Sequence, residues 1–180
     1  MPEFKHEPLA DPNHQIRLLQ LPASKWGGGM HLQLSTWDLR KAPPYSAISY
    51  TWGPAGYPTR SLTINGLNME VRRKCRFALL QARLRCPGDY VWIDSICIDQ
   101  DNVGEKGVQV AMMFDIYKRA RQVLACIGES SESSRRLAVV ANIIGHMRMK
   151  HNLFKDLLNQ DLVAMSERGY WHRLWIVQEI

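Results

Sequence analysis

Two short runs that read as buried strands, Tyr90-Val91-Trp92-Ile93 and Gln122-Val123-Leu124-Ala125-Cys126-Ile127, flank a stretch of helical periodicity. An apolar run without polar alternation suits a strand covered on both faces. Between the two, Met113, Ile116, Tyr117 and Ala120 share one face of a helix expected over about 107–120. Ahead of them, Cys75, Ala78, Leu79 and Ala82 follow i, i+3, i+4, i+7 spacing, which predicts an amphipathic helix over about 72–85, stopped by Pro87-Gly88. A further strand, Tyr45 to Trp52, precedes that helix and ends at Gly53-Pro54. Strand, helix, strand, helix, strand predicts an α/β fold, a parallel sheet flanked by helices. Ligands of such sheets bind at the carboxyl ends of the strands. Three ends therefore matter: Ser49 to Gly53, Asp94 to Asp99, and Gly128 to Ser130.

The flanks of this core read differently. Residues 1 to 15 are polar, carry Pro2, Pro8 and Pro12, and are expected to form a flexible arm, leaving 16–180 as the domain. Ile16 to Leu21 reads as a strand, and His31 to Ser35 alternates with the period of a half-buried one. Asn65-Gly66 stands between Ser61-Leu62-Thr63-Ile64 and Leu67-Asn68-Met69-Glu70-Val71. Both turn residues tolerate positive φ, so this is a β-hairpin inserted before the first helix. From Ser133 onward the pattern is helical, with a break near Gly169.

Composition narrows the function classes. With 46% hydrophobic and 22% charged residues, the chain can bury a core. The net charge of +6 is scattered; its densest run is Arg72-Arg73-Lys74, and no zinc-finger or helix-turn-helix pattern accompanies it. These cations read as solvated helix faces and helix ends, nucleic acid is not an expected partner, and an anionic dinucleotide would suit the mild basicity. The four cysteines form no C-x-x-C pair, and Cys97 and Cys126 lie in apolar runs, so reduced, buried thiols in a cytoplasmic protein are expected. No stretch approaches the length of a membrane-spanning helix. Asp99, Asp101 and Glu105 cluster without EF-hand spacing; a solvated or helix-capping role is expected, and no metal.

Three blocks carry a family resemblance. Tyr45-Ser-Ala-Ile-Ser-Tyr-Thr-Trp-Gly53, Trp92-Ile-Asp-Ser-Ile-Cys-Ile-Asp-Gln100 and Trp171-His-Arg-Leu-Trp-Ile-Val-Gln-Glu179 resemble, in order, the motifs of the fungal heterokaryon incompatibility (HET) domain family. Glu105, Gln109, Tyr117 and Ala120 fill the family's intervening places, and Ile16-Arg-Leu-Leu19 matches its lead-in. Asp99 and Lys106 depart from the usual asparagine and arginine. The resemblance implies non-self recognition and programmed cell death. HET domains are in turn similar to Toll/interleukin-1 receptor (TIR) domains, which implies a flavodoxin-like fold. Against that fold, the hairpin and the helices between Ser130 and Arg168 are extra elements. The resemblance also implies partners: copies of the same chain or other death-signalling domains.

On the TIR side of the resemblance, Trp175 and Glu179 match a tryptophan and glutamate near the site of TIR domains that cleave NAD. At i, i+4 they share one helix face. A carboxylate there would stabilise the oxocarbenium-like ribose formed as nicotinamide leaves. Glu179 is thus the expected catalytic residue of an NAD(P)+ nucleosidase, with NAD(P)+ as substrate and no prosthetic group. Ser49, Tyr50, Trp52, Gly53, Asp94 and Trp175 are the expected nucleotide-binding residues. For Trp52 the alternatives are stacking on a ring of the ligand or plugging the core; for Asp94, a ribose hydroxyl or the cap of the next turn. Gln109 and Arg173 are expected as internal braces. The rival function is a non-catalytic, self-associating module. Because the helix bearing Glu179 starts near Leu174, the chain is expected to be truncated at its C-terminus.

Overall fold

The computed structural model describes residues 2–23, 30–54, 56–129, 131–135, 137, 155–168, 170 and 171. They fall into two compact units, one reaching to Cys126 and one starting at Ile127.

The first unit is built on a seven-stranded sheet. Its strands are β1 (Gln15–Gln20), β2 (His31–Asp38), β3 (Tyr45–Tyr50), β4 (Thr59–Ile64), β5 (Leu67–Arg72), β6 (Tyr90–Trp92) and β7 (Gln122–Cys126), in spatial order β5-β4-β2-β1-β6-β3-β7. The helices are α1 (Arg73–Arg85), α2 (Asp94–Cys97), α3 (Val103–Ala111) and α4 (Met113–Arg119). The fold is α/β, but the sheet is mixed rather than parallel throughout. β6, β3 and β7 run parallel, with Ala47 opposite both Trp92 and Val123. β1 lies antiparallel to β6 and to β2, whereas β2 and β4 pair in parallel. A parallel neighbour needs a crossover of about a dozen residues or more, usually helical, and only ten residues separate Gln20 of β1 from His31 of β2.

Every residue of β3 is buried, because helices cover both of its faces. On one face the Tyr45 hydroxyl donates to the Ile116 carbonyl of α4 (2.6 Å), and Trp92 meets Tyr117 edge-on at 5.5 Å. On the other, the Tyr50 hydroxyl reaches Ser95, which contacts Cys75 of α1. Tyr45 and Tyr50 have opposite parity along the strand, so α1 and α4 lie on opposite faces. The stripe expected on α1, Cys75, Ala78, Leu79 and Ala82, is buried as a unit. β7 departs from expectation: as the edge strand of the described sheet it leaves Gln122, Val123 and Ala125 exposed, and Cys126 only half-buried.

The hairpin forms as its turn residues require, with Asn65 at φ 50° and Gly66 at φ 79°. Asn65 does more than turn. Its amide oxygen accepts from Leu34 N (2.8 Å) and its Nδ2 donates to Leu34 O (3.0 Å), so its side chain lengthens the β2–β4 ladder. The helix expected over about 107–120 divides at Met112 and begins earlier. Gly104 and Gly107 weaken the sequence signal of α3, which Asn102 starts by accepting from Glu105 N (3.1 Å).

Residues 2–9, placed by sequence in a flexible arm, make defined contacts. Phe4 N donates to Asn68 O (2.7 Å) on the outer edge of β5, and His6 Nε2 donates to Ile96 O (2.7 Å). Arg17 reaches Glu7 O (2.6 Å), and Leu9 is buried. Among the described residues, no helix is long and apolar enough to cross a membrane.

In the second unit, α5 (Lys155–Ser166) agrees with the helical pattern. The Arg168 guanidinium ties together the turn that opens the unit, reaching Ile127 O (3.4 Å), Glu129 O (3.3 Å) and Ser131 Oγ (2.8 Å).

Candidate functional site

The carboxyl ends of β3 and β6 lie side by side, and the two most chemically loaded segments meet there. Trp52 leaves the end of β3 and its indole Nε1 donates to Asp94 Oδ2 (2.9 Å), just past β6. Asp94 Oδ1 accepts from Ser95 N (2.7 Å), and Asp94 O accepts from Gln100 Nε2 (3.0 Å). Asp94 is the first residue of α2, and its carboxylate takes the next amide while anchoring Trp52, which is half-buried and keeps a solvent-facing part. The cap that is one alternative for Asp94 does not form: Ile93 holds the N-cap position of α2, which has no side-chain cap.

Ser49 and Tyr50 lie one layer deeper. Ser49 is 1% exposed and Tyr50 3%. The Tyr50 hydroxyl donates to Ser95 Oγ (2.7 Å), and Ser95 Oγ to Cys75 Sγ (3.3 Å), a buried polar relay under the strand end. Burial, with Cys75 and Asp94 nearby, drives the Tyr50 phenol well above its ordinary range. Burial also pushes the Cys75 thiol up to about 12. Both groups stay neutral and hold the strand end in place.

Gly53 is left-handed, at φ +81°. A Cβ there would stand 3.4 Å from both Lys74 Cδ and the Tyr57 ring, in close contact. Its carbonyl accepts from Arg72 Nη1 (3.2 Å), and the same guanidinium lies over the Trp52 ring at 5.4 Å. Lys74 Nζ lies over the Tyr57 ring, also at 5.4 Å, and reaches Thr51 Oγ1 (3.5 Å). Two cations are thus drawn to the rim of the site by two aromatic rings. By sequence Arg72-Arg73-Lys74 reads as a solvated helix end, whereas Arg72 and Lys74 are half-buried here. The available signal was position: the run opens α1, whose first turn contains no acidic residue. Cations at that end oppose the helix dipole.

The acidic cluster does not assemble as expected. Glu105 is buried, not solvated, and takes a fork from Arg17: Nη1 to Oε1 at 2.5 Å and Nη2 to Oε2 at 2.9 Å. Burial raises its pKa, but the Arg17 hydrogen bonds and charge, with the Asp99 amide, bring it below the ordinary carboxylate value. Arg17 also donates to Cys97 O (3.1 Å). Gln109 is an internal brace, but to the start of β1 and the segment before it rather than between the motif blocks: its Nε2 donates to Pro12 O and Gln15 O (2.8 Å each). Among the described residues, no group of His, Cys, Asp or Glu side chains could hold a metal ion. Glu179, Trp175 and Arg173 lie outside the described residues.

These blocks are those of a known family. The family described as Heterokaryon incompatibility protein (HET) matches residues 45–179. The chain belongs to the heterokaryon incompatibility family. Similar proteins include heterokaryon incompatibility protein 6, OR allele, of Neurospora crassa, 28% identical over 95% of this chain and 32% of the relative. Vegetative incompatibility protein HET-E-1 of Podospora anserina is 31% identical over 53% of this chain and 7% of its own length. This HET chain therefore spans a third or less of the curated relatives it matches. No solved structure matches it.

Proposed function

We propose that this HET domain cleaves NAD(P)+ at the β3–β6 edge, in the manner of TIR domains, and that cleavage drives a cytoplasmic cell-death response in incompatibility. The observation that carries the reading is the Trp52–Asp94 hydrogen bond, which joins an aromatic ring to a carboxylate across adjacent parallel strand ends. The strand order β6-β3-β7 supports it. β3 leads to β6 on one side and β6 leads to β7 on the other, the 2-1-3 arrangement of flavodoxin-like sheets, whose ligands bind at such reversals.

In this reading Trp52 and Trp175 present π-faces to the nicotinamide or adenine ring, and Gly53 lets the ligand approach the backbone closely. Asp94 orients Trp52, while Ser49 and Tyr50 support the strand from below. The Glu179 carboxylate stabilises positive charge on the ribose as the bond from C1′ to the nicotinamide nitrogen breaks. Water then takes the ribosyl cation, giving nicotinamide, ADP-ribose (or its 2′-phosphate) and a proton. Self-association, or clustering by partner domains, would switch the activity on.

The test is nicotinamide release from NAD+ and NADP+ by purified protein, free and artificially clustered. Wild type is expected to release nicotinamide, and Glu179→Gln to lose roughly a hundredfold or more, the scale of removing one electrostatic stabiliser. Equal turnover by Glu179→Gln would remove that residue's role. No release even from clustered protein would favour a non-catalytic, self-associating module.

A further inference from the structure

Arg72 and Lys74 are two like charges held close to one backbone carbonyl and one hydroxyl, yet neither has a carboxylate partner among the described residues. Both are half-buried, so water screens them less than it screens the freely exposed Arg85 of the same helix. Their positions are also built. Arg72 is pinned by Gly53 O and the Trp52 ring, Lys74 by Thr51 Oγ1 and the Tyr57 ring. Lys74 and the Tyr57 ring pack closely around Gly53, each 3.4 Å from where a Cβ would stand. Two cations on one rim without a carboxylate favour an anion as their partner, and among the described residues a single hydrogen bond leaves most of the Arg72 donors unspent.

We infer that Arg72 and Lys74 form a phosphate-binding subsite beside Trp52, and that the ligand of this edge is recognised through a nucleoside diphosphate moiety. The guanidinium offers a planar fork to two phosphate oxygens, and the ammonium adds a point charge on the diphosphate. The Trp52 ring, already in contact with Arg72, is placed to stack on an attached base or ring. The inference rests on reading the edge as a nucleotide site. It does not require the bond-breaking step.

Binding of ADP and of adenosine, which differ only in the diphosphate, separates the two ideas. Wild-type protein is expected to bind ADP roughly tenfold or more tighter than adenosine, the scale of one charge-assisted hydrogen bond, and to lose that preference as salt rises. In Arg72→Gln/Lys74→Gln the preference should vanish, ADP binding no tighter than adenosine, and the Arg85→Gln control should bind as wild type. Should the double variant fail to fold, by circular dichroism, Lys74→Gln alone must show a partial loss. Equal binding of ADP and adenosine by folded wild type, no binding of ADP, or equal losses in Lys74→Gln and Arg85→Gln would each overturn the subsite. Absent nicotinamide release with intact ADP preference would overturn the cleavage reading and leave the subsite standing.

Discussion

At the scale of single residues, the strongest interior commitment is the pair Arg17–Glu105. Both side chains are almost wholly buried, 3% and 4% exposed, and the spare donors and acceptors are used on Cys97 O, Glu7 O and the Asp99 amide. Removing one partner strands the other charge in the interior. Glu105→Gln is expected to destabilise the domain by about 3 kcal/mol, measured by urea unfolding at neutral pH. The pH dependence has a definite sign. The folded carboxyl titrates below its unfolded value, so the folded state holds fewer protons between the two. Its contribution is present above the ordinary glutamate pKa and is lost as pH falls through the lowered one. Wild type should therefore lose more stability than Glu105→Gln on acidification below about pH 4.5. Parallel losses would show that Glu105 is not the group being titrated.

At the scale of elements, the hairpin shows how one residue serves two ladders. Asn65 takes the positive φ that its turn needs, and its amide pairs with both backbone groups of Leu34. Asn65→Gly keeps the turn conformation and deletes only the second role. A loss of about 1–2 kcal/mol in thermal or chemical unfolding is expected for two such hydrogen bonds near the surface. No loss would mean that water replaces the amide at no cost. The parallel strands and α1 suggest a different experiment. Burial lifts Cys75 and Cys97 to about 12 each and the half-buried Cys126 to about 11. In native protein at pH 8, iodoacetamide should mark Cys126 first and leave Cys75 and Cys97 unmodified until denaturant is added, read by peptide mass mapping. Early labelling of Cys75 would show that the relay beneath Trp52 opens to solvent.

At the scale of the whole molecule, local signals were enough for the elements that carry their own pattern. The stripe of α1, the Asn65-Gly66 turn and the uninterrupted runs of β3 and β6 each express a period or a required φ within a few residues, so they were legible in sequence. The blocks at 45–53 and 92–100 marked the strand ends of the candidate site for the same reason. What sequence left open depends on partners far along the chain. β7 reads as buried from its composition but lies at a sheet edge, because exposure is set by strand order and not by the strand's own residues. Glu105 reads as part of an acidic cluster in a solvated or helix-capping role until Arg17, eighty-eight positions earlier, arrives beside it. Arg72 and Lys74 read as helix-end charges until Trp52 and Tyr57 come under them. Sequence by itself determined the α/β pattern, the hairpin and the family. Only the tertiary structure decided the mixed sheet, the docking of residues 2–9 and the meeting of Trp52, Asp94 and two cations at one edge. Periodicity is a local property of a chain, whereas charge pairing and burial are properties of whatever that chain folds against.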